Sequence, residues 1–195
     1  MNHADTAVRE TGRGLSTMDL VQIGIFAALI AICSWISIPA AVPFTMQTFA
    51  VFMAALVLGG KRGMLAVLDY LLMGAIGVPV FHGFTGGIGI ILGSTGGYIV
   101  GFILTTMIMW ALEKPARQNT VIRAVSMVAG LLACYALGTA WFMLVYARAN
   151  GAISLMTALG WCVFPFVIPD LLKIALAWMV SPLIRRAIQA GGQGR

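Results

Sequence analysis

The chain has 195 residues, of which 61% are hydrophobic and 9% charged, with a net charge of +6. Soluble domains carry about 25% charged residues, so this composition excludes a water-soluble enzyme, a disordered chain and a coiled coil. It leaves an all-α polytopic membrane protein with one domain, whose length holds roughly six spanning helices of about 20 residues.

Residues 1–17 form a polar tail that does not read as a cleavable signal, because the apolar run behind it is too long. Hydropathy then predicts spans over Leu20–Ile38, Phe44–Leu58 and Met64–Val80. The glycine-rich stretch His82–Gly97 leads into a fourth span, Ile99–Leu112, which starts near Gly93. Val121–Ala147 is the fifth, and Leu155–Ile184 is a sixth region punctuated by Pro165, Pro169 and Pro182. No period-two alternation suggests a membrane barrel. A transmembrane domain over 18–186 is expected between the N-terminal tail and a C-terminal tail over 187–195.

Basic residues orient these spans. With six of them, Arg9, Arg13, Lys61, Arg62, Lys114, Arg117, Arg123, Arg185, Arg186 and Arg195 fall on one side, against Arg148 on the other and Lys173 within a span. The positive-inside bias places both termini in the cytoplasm. Topology thereby accounts for the net charge, and nucleic-acid binding is not needed.

Three ionisable residues lie inside spans, where each costs about 2.5–3.5 kcal/mol on insertion scales. Asp170 and Lys173 are three apart on one helical face, in the outer half of the membrane. They read as a polar site for a small ligand entering from outside, in preference to a self-neutralised structural pair. Asp69 has no basic partner in its own span and reads as structural or as a contact to a partner helix, ahead of proton coupling. His82 either lines the outer cavity or is solvated.

Gly93, Gly97 and Gly101 repeat every four residues, and Ala27 and Ala31 form a similar small-residue step that periodicity alone assigns to helix packing. Cys33, Cys134 and Cys162 are single and apolar in setting, so no metal site or disulfide framework is expected. The Gly93-Ser94-Thr95-Gly96-Gly97 run lacks hydrolase spacing, and no G-K-[ST] phosphate loop occurs. The chain is therefore not expected to be an enzyme, to carry a cofactor, or to hydrolyse ATP by that route.

Four further segments carry a resemblance. They are Pro43-Phe44-Thr45-Met46-Gln47-Thr48, Leu58-Gly59-Gly60-Lys61-Arg62-Gly63, Gly77-Val78-Pro79-Val80-Phe81 and Gly93-Ser94-Thr95-Gly96-Gly97-Tyr98. With Asp170-x-x-Lys173 they resemble, in order and spacing from about Ala27 to Lys173, the BioY family of biotin-specific S components of energy-coupling-factor (ECF) transporters. The resemblance implies the six-helix S-component fold in a cytoplasmic (inner) membrane, with outer loops closing over biotin near the outer face. It implies that Asp170 and Lys173 contact the ligand head group, with Gln47, Thr45 and Tyr98 near the pocket. Ala27 and Ala31 match the motif that docks the transmembrane coupling subunit, which works with ATPase subunits. The loop around Thr85 lacks the basic residue that relatives use for the valerate carboxylate, and His82 or the N–H groups of Gly86 and Gly87 stand as substitutes. Two rivals remain: a self-sufficient transporter, oligomeric or proton-coupled through Asp69, and a non-transport scaffold. Homo-oligomerisation is left open.

Overall fold

A computed structural model describes residues 14–39 and 42–192. Arg9, Arg13, Arg195, Ala40 and Ala41 lie outside the described residues. Nine α-helices occur in the described chain: α1 (Thr17–Trp35), α2 (Gln47–Leu58), α3 (Gly60–Ala75), α4 (Ile88–Leu92), α5 (Gly96–Ala111), α6 (Glu113–Gln118), α7 (Thr120–Asn150), α8 (Leu155–Cys162) and α9 (Phe164–Gly192). A two-stranded hairpin pairs β1 (Ser37–Ile38) antiparallel with β2 (Phe44–Thr45), in the register Ser37 to Thr45 and Ile38 to Phe44.

Local chemistry sets several boundaries. Ser16 and Asp19 form a reciprocal capping box at the start of α1. The Asn119 side chain accepts from Val121 N–H at 2.8 Å to start α7. Gly59, at φ 89°, turns the chain sharply from α2 into α3, a conformation that a side chain would strain.

Helices α1, α7 and α9 are long and apolar enough to cross a membrane, while α2 and α5 are shorter apolar helices. At 12, 16 and 16 residues, α2, α3 and α5 span only about 18–24 Å. The expected second span was too long at its start and the third at its end, since Phe44–Thr45 is strand and residues 76–80 are loop. Hydropathy cannot separate an apolar helix from an apolar loop folded back onto the bundle. The sixth region is likewise two helices, α8 and α9, broken at Val163.

Helix α2 is the central element: every residue from Ala50 to Leu58 is buried. It packs against α1, α3, α5 and α9. The glycine ridge serves an internal contact between α5 and α7. A Cβ on Gly97 would stand 2.2 Å from the Trp141 Cβ, and one on Gly101 2.8 Å from the Cys134 Sγ. From the opposite helix, a Cβ on Gly138 would meet the Tyr98 ring at 2.2 Å. Interlocked glycines let the two backbones approach closely.

Large apolar side chains cover the outside, including Ile25 at 60%, Leu144 at 64%, Ile168 at 72% and Met179 at 64% exposed. Apolar faces of this extent on spanning-length helices are those of a protein solvated by lipid.

One expectation is corrected here. Ala27 and Ala31 are 0% and 3% exposed and face into the bundle, so neither is free to touch another subunit. The exposed small residues of α1 are Gly24 and Ala28, and a Cβ added at Gly24 would meet nothing within 4 Å. A helix turns about 100° per residue, so a one-residue offset exchanges an inner ridge for an outer one.

Candidate functional site

One end of the bundle encloses a cavity between the β1–β2 hairpin and α2, α5, α7 and α9. Its floor carries Asp170 and Lys173, 4% and 5% exposed. Both stand in the first turns of α9, about 9 and 14 Å from its start. Their side chains meet at 2.8 Å. The preceding Pro169 has no N–H to donate, which relieves α9 of one backbone bond beside the pair.

The pair is held from three sides. Lys173 Nζ donates to the Thr45 carbonyl at 2.6 Å, so β2 positions the ammonium. Lys173 Nζ also stands 4.0 Å from the centroid of the Phe44 ring. The Tyr135 hydroxyl donates to Asp170 Oδ2 at 2.6 Å from α7. A buried ion pair is tolerated only when its lone pairs and protons are satisfied in this way.

The donor and acceptor inventory is informative. Lys173 has three N–H groups and spends two, on Thr45 and Asp170. Each Asp170 oxygen accepts one bond and retains a further lone-pair site. The wall therefore offers two acceptor positions and one donor, at a depth where water competes weakly.

Gln47 and Thr45 line the same cavity and form a second network. Thr45 Oγ1 donates to Gln47 Oε1 at 3.1 Å, and Gln47 Nε2 donates to the Tyr70 hydroxyl at 2.6 Å. Tyr98 lines the opposite wall, its hydroxyl 2.9 Å from Thr139 Oγ1. Val51, Phe52, Phe102, Leu131 and Phe166 supply apolar walls. Few aimed polar groups in an apolar enclosure is the usual composition of a small-ligand site.

His82 lies at the mouth, lining this cavity and a shallower one beside Gly93 and Ser94. Burial pushes its imidazole below the usual value. Gly86 and Gly87 are not on the cavity wall. The Gly87 N–H already donates to the Gly74 carbonyl at 2.7 Å. A Cβ on Gly86 would stand 2.4 Å from the Val78 carbonyl oxygen. Gly86 lets the loop lie against the Gly77–Val78 backbone, Gly87 at φ 100° ties it to the end of α3, and of the substitutes named for a carboxylate contact His82 alone faces the cavity. That loop is fastened to α1 by a Ser34 Oγ donation to Val80 O at 2.6 Å and by stacking of Trp35 on Phe84 at 4.8 Å.

Sequence reading missed Tyr135 and Phe44 as partners of the charged pair. A signal existed for Tyr135, because a phenol in mid-span must find a hydrogen-bond partner. Nothing in the sequence, however, tells which. Asp69 is half-buried, and no hydrogen bond or ion pair engages it among the described residues. Among the described residues no cluster of metal-ligating side chains occurs.

Comparison with known proteins gives consistent results. The model of the BioY family matches residues 4–190. The "Biotin transporter BioY" of Thermotoga maritima is 42% identical over 86% of this chain and 95% of its own length. The "Probable biotin transporter BioY" of Pyrococcus horikoshii is 39% identical over 86% of this chain and 96% of its own. A crystal structure described as the S-component for biotin from an ECF-type ABC transporter superposes with a TM-score of 0.75, at 25% identity and 95% coverage of each chain. A family match over nearly the whole chain, on an S-component fold whose cavity is floored by a buried carboxylate–ammonium pair, identifies this protein as a member of the BioY family.

Proposed function

We propose that the chain captures biotin from outside the cell and is the membrane-embedded S component of an ECF-type transporter. The observation that carries this is the leftover bonding capacity at Asp170 and Lys173. Two acceptor positions and one donor complement the two N–H groups and one carbonyl of a ureido ring. In this reading Asp170 accepts from the ureido nitrogens and Lys173 donates to its oxygen. Gln47, Thr45 and Tyr98 shape the pocket around the bicyclic body, and His82 meets the carboxylate tail at the mouth. The pair selects for the head group because an analogue lacking it leaves a buried acceptor unpaired, at about 1–3 kcal/mol.

The topology belongs to the same proposal: six spans over 18–186, a polar tail on either side, both termini cytoplasmic and multiple passes through the cytoplasmic membrane. The short helices α2, α3 and α5 complete the set with α1, α7 and α9. Support comes from Arg62, Arg117, Arg123, Arg185 and Arg186, which gather around two clefts at one end, far from Asp170 and Lys173. Coupling subunit and ATPase subunits supply the energy, and the outward stripe of Gly24 and Ala28 on α1 is the docking face. Tipping of the whole subunit in the membrane then turns the site towards the cytoplasm.

Binding of labelled biotin to the full chain in nanodiscs tests the reading. Saturable binding that desthiobiotin, which keeps the ureido head, displaces is the expected result. Absence of binding by folded protein would overturn it. Uptake by cells lacking every coupling and ATPase subunit would favour the self-sufficient alternative.

A further inference from the structure

The end opposite the biotin cavity holds a second cleft that transport does not explain. It opens between the α2–α3 turn, α6, the first turns of α7 and the last turns of α9, with a volume of about 300 Å³. Arg117, Arg123, Arg185 and Arg186 all line it, facing a single carboxylate, Glu113. That carboxylate is already engaged: Oε1 accepts from Arg117 at 2.7 Å and Oε2 from the Gly60 N–H at 3.0 Å. Among the described residues no acid pairs with Arg123, Arg185 or Arg186.

We propose that this cleft binds the phosphodiester headgroup of an anionic phospholipid of the inner leaflet. Three observations support it. First, the basic residues that line the cleft are all arginines. Arg117, Arg123, Arg185 and Arg186 line the cleft, whereas Lys61, next to its Gly60, and Lys114, three residues before Arg117, do not. A bias that only set orientation would be indifferent to the choice, whereas the planar guanidinium fork matches phosphate oxygens. Second, the guanidiniums are aimed. The Arg123 Nε donates to the Ala116 carbonyl at 3.3 Å and the group lies 5.4 Å over the Trp178 ring, which fixes its plane and leaves its outer N–H edge available. Arg185 donates to the Leu56 carbonyl, which ties it to the C-terminal end of α2 and leaves its other N–H groups unspent. Third, the setting is interfacial. Arg123 is the fourth residue of α7, and Leu183, 64% exposed, continues the apolar lipid-facing surface beside the arginines. A phosphate seated there offsets the mutual repulsion of the cations while its acyl chains lie along α9, and the inner leaflet supplies anionic lipid.

The test is native mass spectrometry of the full chain released from neutral detergent, which reads adducts on folded ions only. The probes are phosphatidylglycerol, phosphatidylcholine and inorganic phosphate. One retained phosphatidylglycerol, held about tenfold or more tightly than phosphatidylcholine, is the expected result. Arg186→Gln, an exposed side chain that makes no hydrogen bond or ion pair among the described residues, and the pair Arg123→Gln with Arg186→Gln should weaken that binding about tenfold. Lys61→Gln with Lys114→Gln should leave it unchanged. Equal retention of the two lipids, equal binding by arginine and lysine variants, or inorganic phosphate displacing the lipid at millimolar concentration would each overturn the proposal, the last by identifying a soluble anion as the occupant.

Discussion

Neutralising the buried ion pair one member at a time and then together separates its structural role from its part in recognition. Lys173→Met leaves Asp170 at 4% exposure with the Tyr135 hydroxyl, at 2.6 Å, as its remaining partner. An uncompensated buried charge of this kind costs about 3–5 kcal/mol, and Asp170→Asn strands the ammonium with a similar penalty. The double substitution removes both charges, keeps an amide oxygen for Tyr135, and should recover most of the loss. Stability is therefore strongly non-additive, with a coupling of about 3 kcal/mol in thermal or denaturant unfolding. Recognition follows different arithmetic. Loss of two bonds to charged groups, each about 1.5–3 kcal/mol, weakens biotin binding by roughly 100-fold or more in the double variant. The expected pattern is a double variant that is nearly as stable as the parent and binds biotin roughly 100-fold or more weakly. Binding within threefold of the parent by that variant would refute the assignment and leave the pair a structural clasp.

Four further outcomes follow from the packing and the mouth of the cavity. Gly138→Ala puts a Cβ 2.2 Å from the Tyr98 ring, so it should destabilise the fold by about 1–3 kcal/mol and weaken biotin binding together, read by unfolding and by binding to the same preparation. Ala27→Val overfills a site that is 0% exposed and should lower the melting temperature. Ala28→Leu, on the exposed face, should leave stability within about 0.5 kcal/mol and binding unchanged, yet reduce uptake in cells that carry the coupling module. His82 is held below its usual pKa by burial, and a carboxylate beside it favours the protonated ring. Biotin binding then takes up a proton, so affinity rises as pH falls from 7.5 towards 6, and the slope vanishes in His82→Gln; a slope unchanged by that substitution would remove His82 from the site.

Composition and hydropathy were sufficient for the class of fold, because lipid solvation imposes long apolar segments irrespective of how they pack. Charge scarcity did the same for the buried ion pair that lines the cavity. In a chain with so few ionisable residues, Asp170 and Lys173 at helical spacing stand out, since burial of either needs a partner. The glycine repeat announced a close helix contact, although only the structure paired Gly97 and Gly101 on α5 with Gly138 on α7.

What remained illegible was decided by tertiary contact. Tyr135 lies 35 residues before Asp170, and the Thr45 carbonyl 128 residues before Lys173, so no local spacing links them. The ends of α2 and α3 depend on apolar loops folding back over the bundle, which hydropathy reads as more helix. The choice of Gly24 and Ala28 over Ala27 and Ala31 as the outer face of α1 depends on which way the helix is rotated. That rotation is set by burial against α2 and α3, where most apolar contact is gained, and a helix that is apolar on every side carries no record of it in its sequence.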